Sequence, residues 1–286
     1  MYDHLLVPTD GSNQSNAGVT VGLDLAQLFD ATVHFLSVVD SRITEPLEIA
    51  ELDETLQREA RAAIDRAESH EGEEVRITTE TRKGVPFREI QTSASEHDID
   101  CIVMGTSGRH ARPGSFGSTT TRVLRDVDIP VMTVRPSDGE QIEGSQIEPD
   151  GDVLIATDGS DPAHRSFEAG LEIARYLDVS LHAIYVVDSD IFTLEESLRS
   201  LLGPLREGGK TALEEFEVLA AEEGVSLQSH LVEGIPEDVI LTRESQLDVG
   251  LICVGRRGQT GLPDVRLGST TDRIVRRATV PVLSIP

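Results

Sequence analysis

The sequence predicts an α/β protein of two tandem doubly wound domains, each a parallel sheet with helices on both faces. Three observations carry this. First, the chain repeats itself: Pro8-Thr9-Asp10-Gly11-Ser12 returns 148 positions later as Ala156-Thr157-Asp158-Gly159-Ser160. Val38-Val39-Asp40 returns as Val186-Val187-Asp188, Gly84-Val85-Pro86 as Gly234-Ile235-Pro236, and Gly117-Ser118-Thr119-Thr120 as Gly268-Ser269-Thr270-Thr271, with the offset growing only to 151. That period is far longer than the roughly 20–50 residues of a solenoid unit, so it marks a duplicated domain. Second, within each copy short apolar runs alternate with amphipathic segments, the pattern of strands joined by crossover helices. Third, a length of 286 residues suits two domains.

The elements follow in order. His4 to Val7 is a short strand. Ser12 or Asn13 caps a helix to about Phe29, with Ala17, Val21, Leu25 and Leu28 on one face. Thr32 to Val39 is β-branched and apolar, a buried strand. Glu45 to His70 reads as a long charged helix, and Glu74 to Thr81 as a more exposed, alternating strand. Pro86 suits the first turn of a helix ending near His97. Cys101 to Met104 is a buried strand, Ser118 opens a helix to about Asp126, and Val131 to Val134 closes the copy. The second copy repeats the plan, but Gly203-Pro204 and Gly208-Gly209 predict a break in its long second helix. Pro136 to Asp150, polar and acidic, is the expected linker between domains at 1–135 and 151–286.

Composition narrows the function. The chain has 51 acidic and 25 basic residues, a net charge of −26. Such charge repels nucleic acid and anionic membranes. Lys83 and Lys210 are the only lysines, and acidity spread this way fits a halophile's cytoplasm, where molar salt shortens the screening length to about 3 Å. No apolar run is long enough for a membrane span, and the first residues lack a secretion signal's basic head, so a cytoplasmic location is expected. Cys101 and Cys253 occupy non-equivalent places in apolar strands, which supports neither a disulfide nor a metal site.

The most specific stretch is Gly255 to Thr270, leaving a buried strand and entering a helix. Gly255 and Gly258 permit close backbone approach, and Gly268-Ser269-Thr270 places N–H groups and hydroxyls at a helix N-terminus, where phosphate binds readily. A capped structural loop is the plainer alternative. The chain has no GxxxxGK[ST] run, and no GxGxxG follows the first strand, so P-loop and dinucleotide chemistries are not expected. Asp10 and Asp158 follow the first strand of each copy, where turn residue and ligand contact are both open readings. So are phosphate contact and solvent exposure for Arg256 and Arg257. His34 and His182 recur on the second strand as structural residues. Asp40 and Asp188 end that strand, as loop caps or as partners of a nucleotide-bound metal.

These features together resemble the universal stress protein family over nearly all of both copies. The carriers are Pro8 to Ser12, Val38-Val39-Asp40, the glycine loop, and Ile129-Pro130-Val131. The resemblance implies the strand order 3-2-1-4-5 and, for members with a G-x2-G-x9-G-[ST] loop, ATP binding. Gly255, Gly258, Gly268 and Ser269 meet that spacing. The resemblance thus implies that these residues with Thr270 hold phosphates and ribose, while Thr157, Asp158 and Val187 surround the adenine, with Val254 a further cofactor-binding candidate. In the first copy the same roles would fall to Thr9, Asp10, Val39, Met104, Gly105, Gly108, Gly117, Ser118 and Thr119. There only eight residues separate Gly108 from Gly117, so a weaker, altered or still competent site is expected. The implied cofactor is ATP, with Mg2+ as its companion. The expected role is regulatory, with slow ATP hydrolysis or a scaffold without nucleotide as alternatives. The family's last-strand contact implies an intrachain pseudo-dimer of the two halves, with a further homodimer open.

Overall fold

The computed structural model describes residues 2–44, 50–69, 75–108, 116–136, 151–188, 202–258 and 267–286. The chain divides into two compact units, Met1–Gln146 and Ile147–Pro286. Apart from Pro136, the expected linker lies outside the described residues, as do the middles of both glycine loops.

The first unit runs β1 His4–Pro8, α1 Asn13–Phe29, β2 Thr32–Asp40, α2 Ser41–Thr44, α3 Ala50–Glu68, β3 Arg76–Gly84, α4 Pro86–Glu96, β4 Cys101–Gly105, α5 Ser118–Asp126 and β5 Val131–Val134. Its strands stand in the order β3-β2-β1-β4-β5 and pair in parallel. From β1 the chain steps outward to β3, then crosses to β4 and steps the other way. Right-handed crossovers therefore put α1 and α3 on one face and α4 and α5 on the other. The second unit repeats this with β6 Asp152–Thr157, α6 Asp161–Leu177, β7 Leu181–Asp188, α7 Leu202–Glu222, β8 Leu227–Gly234, α8 Pro236–Gln246, β9 Val249–Gly255, α9 Ser269–Arg277 and β10 Val282–Ile285. Its order is β8-β7-β6-β9-β10. The predicted doubly wound fold and strand order are present in both halves.

Local chemistry explains the element ends. The Ser12 hydroxyl accepts the Ser15 N–H and starts α1. Both α1 and α6 end on a left-handed aspartate, Asp30 at φ 53° and Asp178 at φ 59°. A short polar side chain tolerates that conformation better than most. Pro86 and Pro236 open α4 and α8, where the missing N–H costs nothing. The central strands are dry: all five residues of β4 are buried, whereas β3 shows a half-exposed, alternating face.

The long helix expected from Glu45 to His70 is present as α3, Ala50–Glu68, after the one-turn α2; residues 45–49 and 70 lie outside the described residues. One expectation needs correction. The break expected in the second copy does not occur, for α7 runs unbroken from Leu202 to Glu222. Pro204 falls in its first turn, where no intrahelical N–H is required. Gly209 is used for packing, and Phe216 stacks on Phe167 of α6 with centroids 3.9 Å apart. The burial of both rings outweighs the helix penalty of the glycines, about 1 kcal/mol each.

The recurring histidines are structural. The His34 ring bridges three strands: Nε2 lies 3.0 Å from His4 Nδ1, and Nδ1 lies 2.6 Å from Thr78 Oγ1. In the second half His182 Nε2 lies 2.9 Å from Asp152 Oδ2, and Nδ1 lies 3.2 Å from His230 Nε2. Burial, then the neighbouring His97 and His4, push His34 below the ordinary histidine value of 6.5. Burial, then His182 and Arg243, do the same to His230. A lowered folded-state value means the unfolded chain binds protons first as pH falls, so stability is lost on descending from about 6.5 toward the folded values. The melting temperature should therefore fall between pH 7 and 5 at constant salt. The fall should be smaller in a His34→Gln/His230→Gln variant, and an equal slope would remove these rings as the cause.

Candidate functional site

Strand order places a crevice at the carboxyl ends of β1, β2 and β4, where the chain reverses its direction of travel across the sheet. In the first half this crevice is a cavity of about 510 Å³. One side is built by Thr9 and Asp10 after β1 and by Ser37 to Asp40 at the end of β2. Opposite stand Gly105 and Gly108 after β4 and the first turn of α5. Leu56, Glu59 and Ala60 of α3, with Pro86 and Ile90 of α4, close the remaining sides.

The turn after β1 is held by its own side chains. The Thr9 hydroxyl accepts the Gly11 N–H at 3.1 Å, and Asp10 Oδ1 accepts the Ser12 N–H at 3.0 Å and the Ser12 hydroxyl at 2.6 Å. The second half repeats the two backbone bonds, Gly159 to Thr157 at 3.1 Å and Ser160 to Asp158 at 3.0 Å. Gly11 and Gly159 take φ of 72° and 79°, conformations the turn requires. The turn role of both aspartates is thus in place, and it leaves their second oxygens facing the glycine loop. A Cβ on Gly108 would lie 2.6 Å from Asp10 Oδ2, and one on Gly258 would collide with Asp158 Oδ2.

Gly105 and Gly255 answer a different demand from ligand approach. A Cβ at Gly105 would lie 2.7 Å from the carbonyl carbon of Gln14, and one at Gly255 would lie 2.9 Å from Pro162 C and Ala163 N. Each glycine lets the first turn of α1 or α6 rest on the end of β4 or β9. The loop that follows is pinned identically in both halves. Gly117 N–H donates to Thr106 O at 2.8 Å and the Thr120 hydroxyl to Gly105 O at 3.1 Å. Gly268 N–H donates to Arg256 O and the Thr271 hydroxyl to Gly255 O, both at 2.8 Å. The one-residue difference between the loops therefore falls among residues 109–115 and 259–266, outside the described residues. Gly117 and Gly268 sit at the N-caps of α5 and α9 and supply no side-chain cap. Among the described residues no side chain caps the opening N–H groups of either helix.

Thr9, Asp10, Val39, Met104, Gly105, Gly108, Gly117, Ser118 and Thr119, the first-half residues picked from the sequence, all line this one cavity. Thr157, Asp158, Val187, Val254, Gly255, Gly258, Gly268, Ser269 and Thr270 take the equivalent places at the ends of β6, β7 and β9 and the start of α9. Sequence reading missed the α3 wall, although Leu56, Glu59 and Ala60 fall at helical spacing. It also missed Arg42, whose Nε and Nη2 lie 2.9 Å and 2.6 Å from the two Asp40 oxygens. Asp40 thereby caps the start of α2, and its hydrogen bond holds the Arg42 guanidinium above its ordinary range. Arg256 is neither at the solvent nor at the loop's outer edge: it is buried, with Nη2 3.5 Å from Ser284 O. Arg257 is exposed. Both cysteines are buried free thiols, and burial raises that of Cys253. Among the described residues no cluster of ligating side chains suits a metal ion, and no helix is long and apolar enough to cross a membrane.

Comparison with known proteins gives this architecture a family. A family model described as the universal stress protein family matches residues 1–135 and 151–286. A universal stress protein of Methanocaldococcus jannaschii is 34% identical over 136 residues, which is 46% of this chain and 80% of that protein. One from Mycolicibacterium smegmatis is 26% identical over 301 residues, covering 98% of this chain and 96% of its own. Among solved structures, a universal stress protein from Archaeoglobus fulgidus aligns over 99% of this chain and 96% of its own, with a TM-score of 0.74 at 22% identity. That likeness extends the shared fold to the full tandem length.

The glycine geometry yields a stability test. Gly105→Ala sets a methyl against backbone that cannot step aside and should cost about 3 kcal/mol, seen as a lower melting temperature with or without any ligand. Gly208→Ala on α7, where a Cβ meets nothing within 4 Å, should be neutral or stabilise by up to about 1 kcal/mol. Equal effects from the two would show that helix contact does not dictate the glycine at 105.

Proposed function

The chain belongs to the universal stress protein family, and from that premise we propose that it is a regulatory protein of the stress response that binds an adenine nucleotide, ATP, in the crevice of its first half. The observation that carries the reading is convergence. Residues chosen from four separate stretches of sequence line one cavity of about 510 Å³, within the roughly 300–1,000 Å³ of small-molecule sites.

The chemistry of the walls fits such a ligand. Val39, Leu56, Ala60 and Ile90 offer an apolar end for a base. Across the crevice, the uncapped N–H groups and hydroxyls of Ser118 and Thr119 offer donors and a helix dipole to phosphate oxygens. Asp10, Asp40 and Glu59 also line the cavity, and carboxylates beside a polyphosphate favour ATP arriving with Mg2+. The second-half loop, with its G-x2-G-x9-G-S spacing, is the second candidate for the same ligand. Binding would act by stabilising one conformational or assembly state over another, which requires different affinities for the two. Among the described residues the wall presents no lysine for the γ-phosphate, so the reading is of a switch rather than a fast hydrolase. The net charge of −26 with two lysines supports a salt-rich cytoplasm as the working environment.

Titration of the full chain with ATP and Mg2+ in molar KCl, followed calorimetrically, should show saturable binding by millimolar nucleotide. A carboxylate at the start of α5 should oppose phosphate while favouring the helix dipole. Thr119→Asp should therefore keep or raise the melting temperature yet weaken ATP binding at least about tenfold, or about 1.4 kcal/mol. Absence of saturation in the unaltered chain, or unchanged affinity in the variant, would refute the proposal.

A further inference from the structure

Among the differences between the two crevices, two facing positions change together. Ser37 near the end of β2 has Tyr185 on β7 as its counterpart, and Ala60 of α3 has Gly209 of α7. In the first half both small side chains line the cavity. In the second half the Tyr185 ring lies directly against Gly209: a Cβ there would stand 2.5 Å from Cδ1 and 2.8 Å from both Cε1 and Cγ. The ring is only 6% exposed. Burial, with the Asp158 carboxylate second, raises the phenol's pKa. The glycine makes room for the ring, but the pair of tyrosine and glycine still carries more side-chain volume than the pair of serine and alanine. What the first half leaves as space between sheet and helix, the second fills with an aromatic side chain.

Resting on the nucleotide reading above, we propose that the halves are functionally unequal: the first takes the nucleotide, and in the second Tyr185, seated on Gly209, occupies the ground where the base would lie. Tyr185 is thus the residue that sets how many nucleotides a chain carries. The assignment reverses the weighting the loop sequences suggest, because the half with the full G-x2-G-x9-G-S spacing is the one whose base end is filled.

The stoichiometry of ATP on the full chain tests this, measured by equilibrium dialysis in molar KCl with Mg2+. One equivalent per chain is expected at concentrations that saturate the first site. Ser37→Tyr/Ala60→Gly should weaken that site at least about tenfold, and Tyr185→Ser/Gly209→Ala should add a second equivalent. Two equal equivalents in the unaltered chain, or no loss in the first swap, would overturn the inference and leave the nucleotide reading intact. No saturation at all would end both. A second measurement is independent of how the swaps fold. The chain has no Trp and three Tyr, so Tyr2→Phe/Tyr176→Phe leaves Tyr185 as the lone emitter. Saturating ATP should leave its fluorescence unchanged, and quenching with one equivalent bound would place the ligand in the second half instead.

Discussion

The site depends on how closely the helix after the first strand approaches the fourth strand. At the end of β4 the carbonyl of Gln14 occupies the volume a side chain at position 105 would need, and Pro162 and Ala163 do the same at position 255. That contact fixes where α1 begins and therefore where the turn after β1 stands. It also holds the Asp10 carboxylate against Gly108, so that the β1 turn and the β4 loop face each other across a gap. Thr120 and Thr271 then tie the next helix back to the same strand end. The β1 turn and the β4 loop are thus positioned by close backbone packing together with the Thr9, Asp10 and Thr120 side chains.

This arrangement separates two jobs that one residue type performs. Glycines 105 and 255 serve helix packing, and 108 and 258 make room for a carboxylate from the neighbouring turn. Gly117 and Gly268 differ, because each sits at a helix N-cap without supplying an acceptor. The unfilled donors of α5 and α9 are the groups an anion would satisfy. In a chain with about twice as many acidic as basic residues, backbone donors of this kind would offer an anion local attraction against a repulsive overall field.

Much of this was legible in the sequence. Repetition exposed the duplication, and strand-helix alternation dictated a parallel sheet. The prolines at 86 and 236 marked helix starts, and nine first-half residues named as candidates stand around one cavity. What stayed hidden has physical reasons. Proline and glycine in α7 read as breakers, yet one fell in the permissive first turn and another was demanded by Tyr185, a tertiary contact no local pattern encodes. Arg256 read as a loop cation, but it follows directly from a buried strand and turns inward toward Ser284. The wall supplied by α3 comes from Leu56, Glu59 and Ala60, well beyond the end of β2 at Asp40, and only the crossover brings it over the crevice. The Ser37–Tyr185 difference was written plainly in the repeat, but its meaning needed the glycine across from it.

The same duplication that fixed the fold has left two copies free to diverge, and beside the one-residue difference in the glycine loops they differ in side-chain volume at the floor of the crevice, serine in one half and tyrosine in the other. The account stands or falls on what occupies that floor. The most direct measurement is an experimental structure of the chain with a non-hydrolysable ATP analogue and Mg2+. The account predicts the base between β2 and α3, beside Ser37 and Ala60, with the phosphates at Ser118 and Thr119. An analogue bound only beside Tyr185, or lodged outside the cavity, would contradict it.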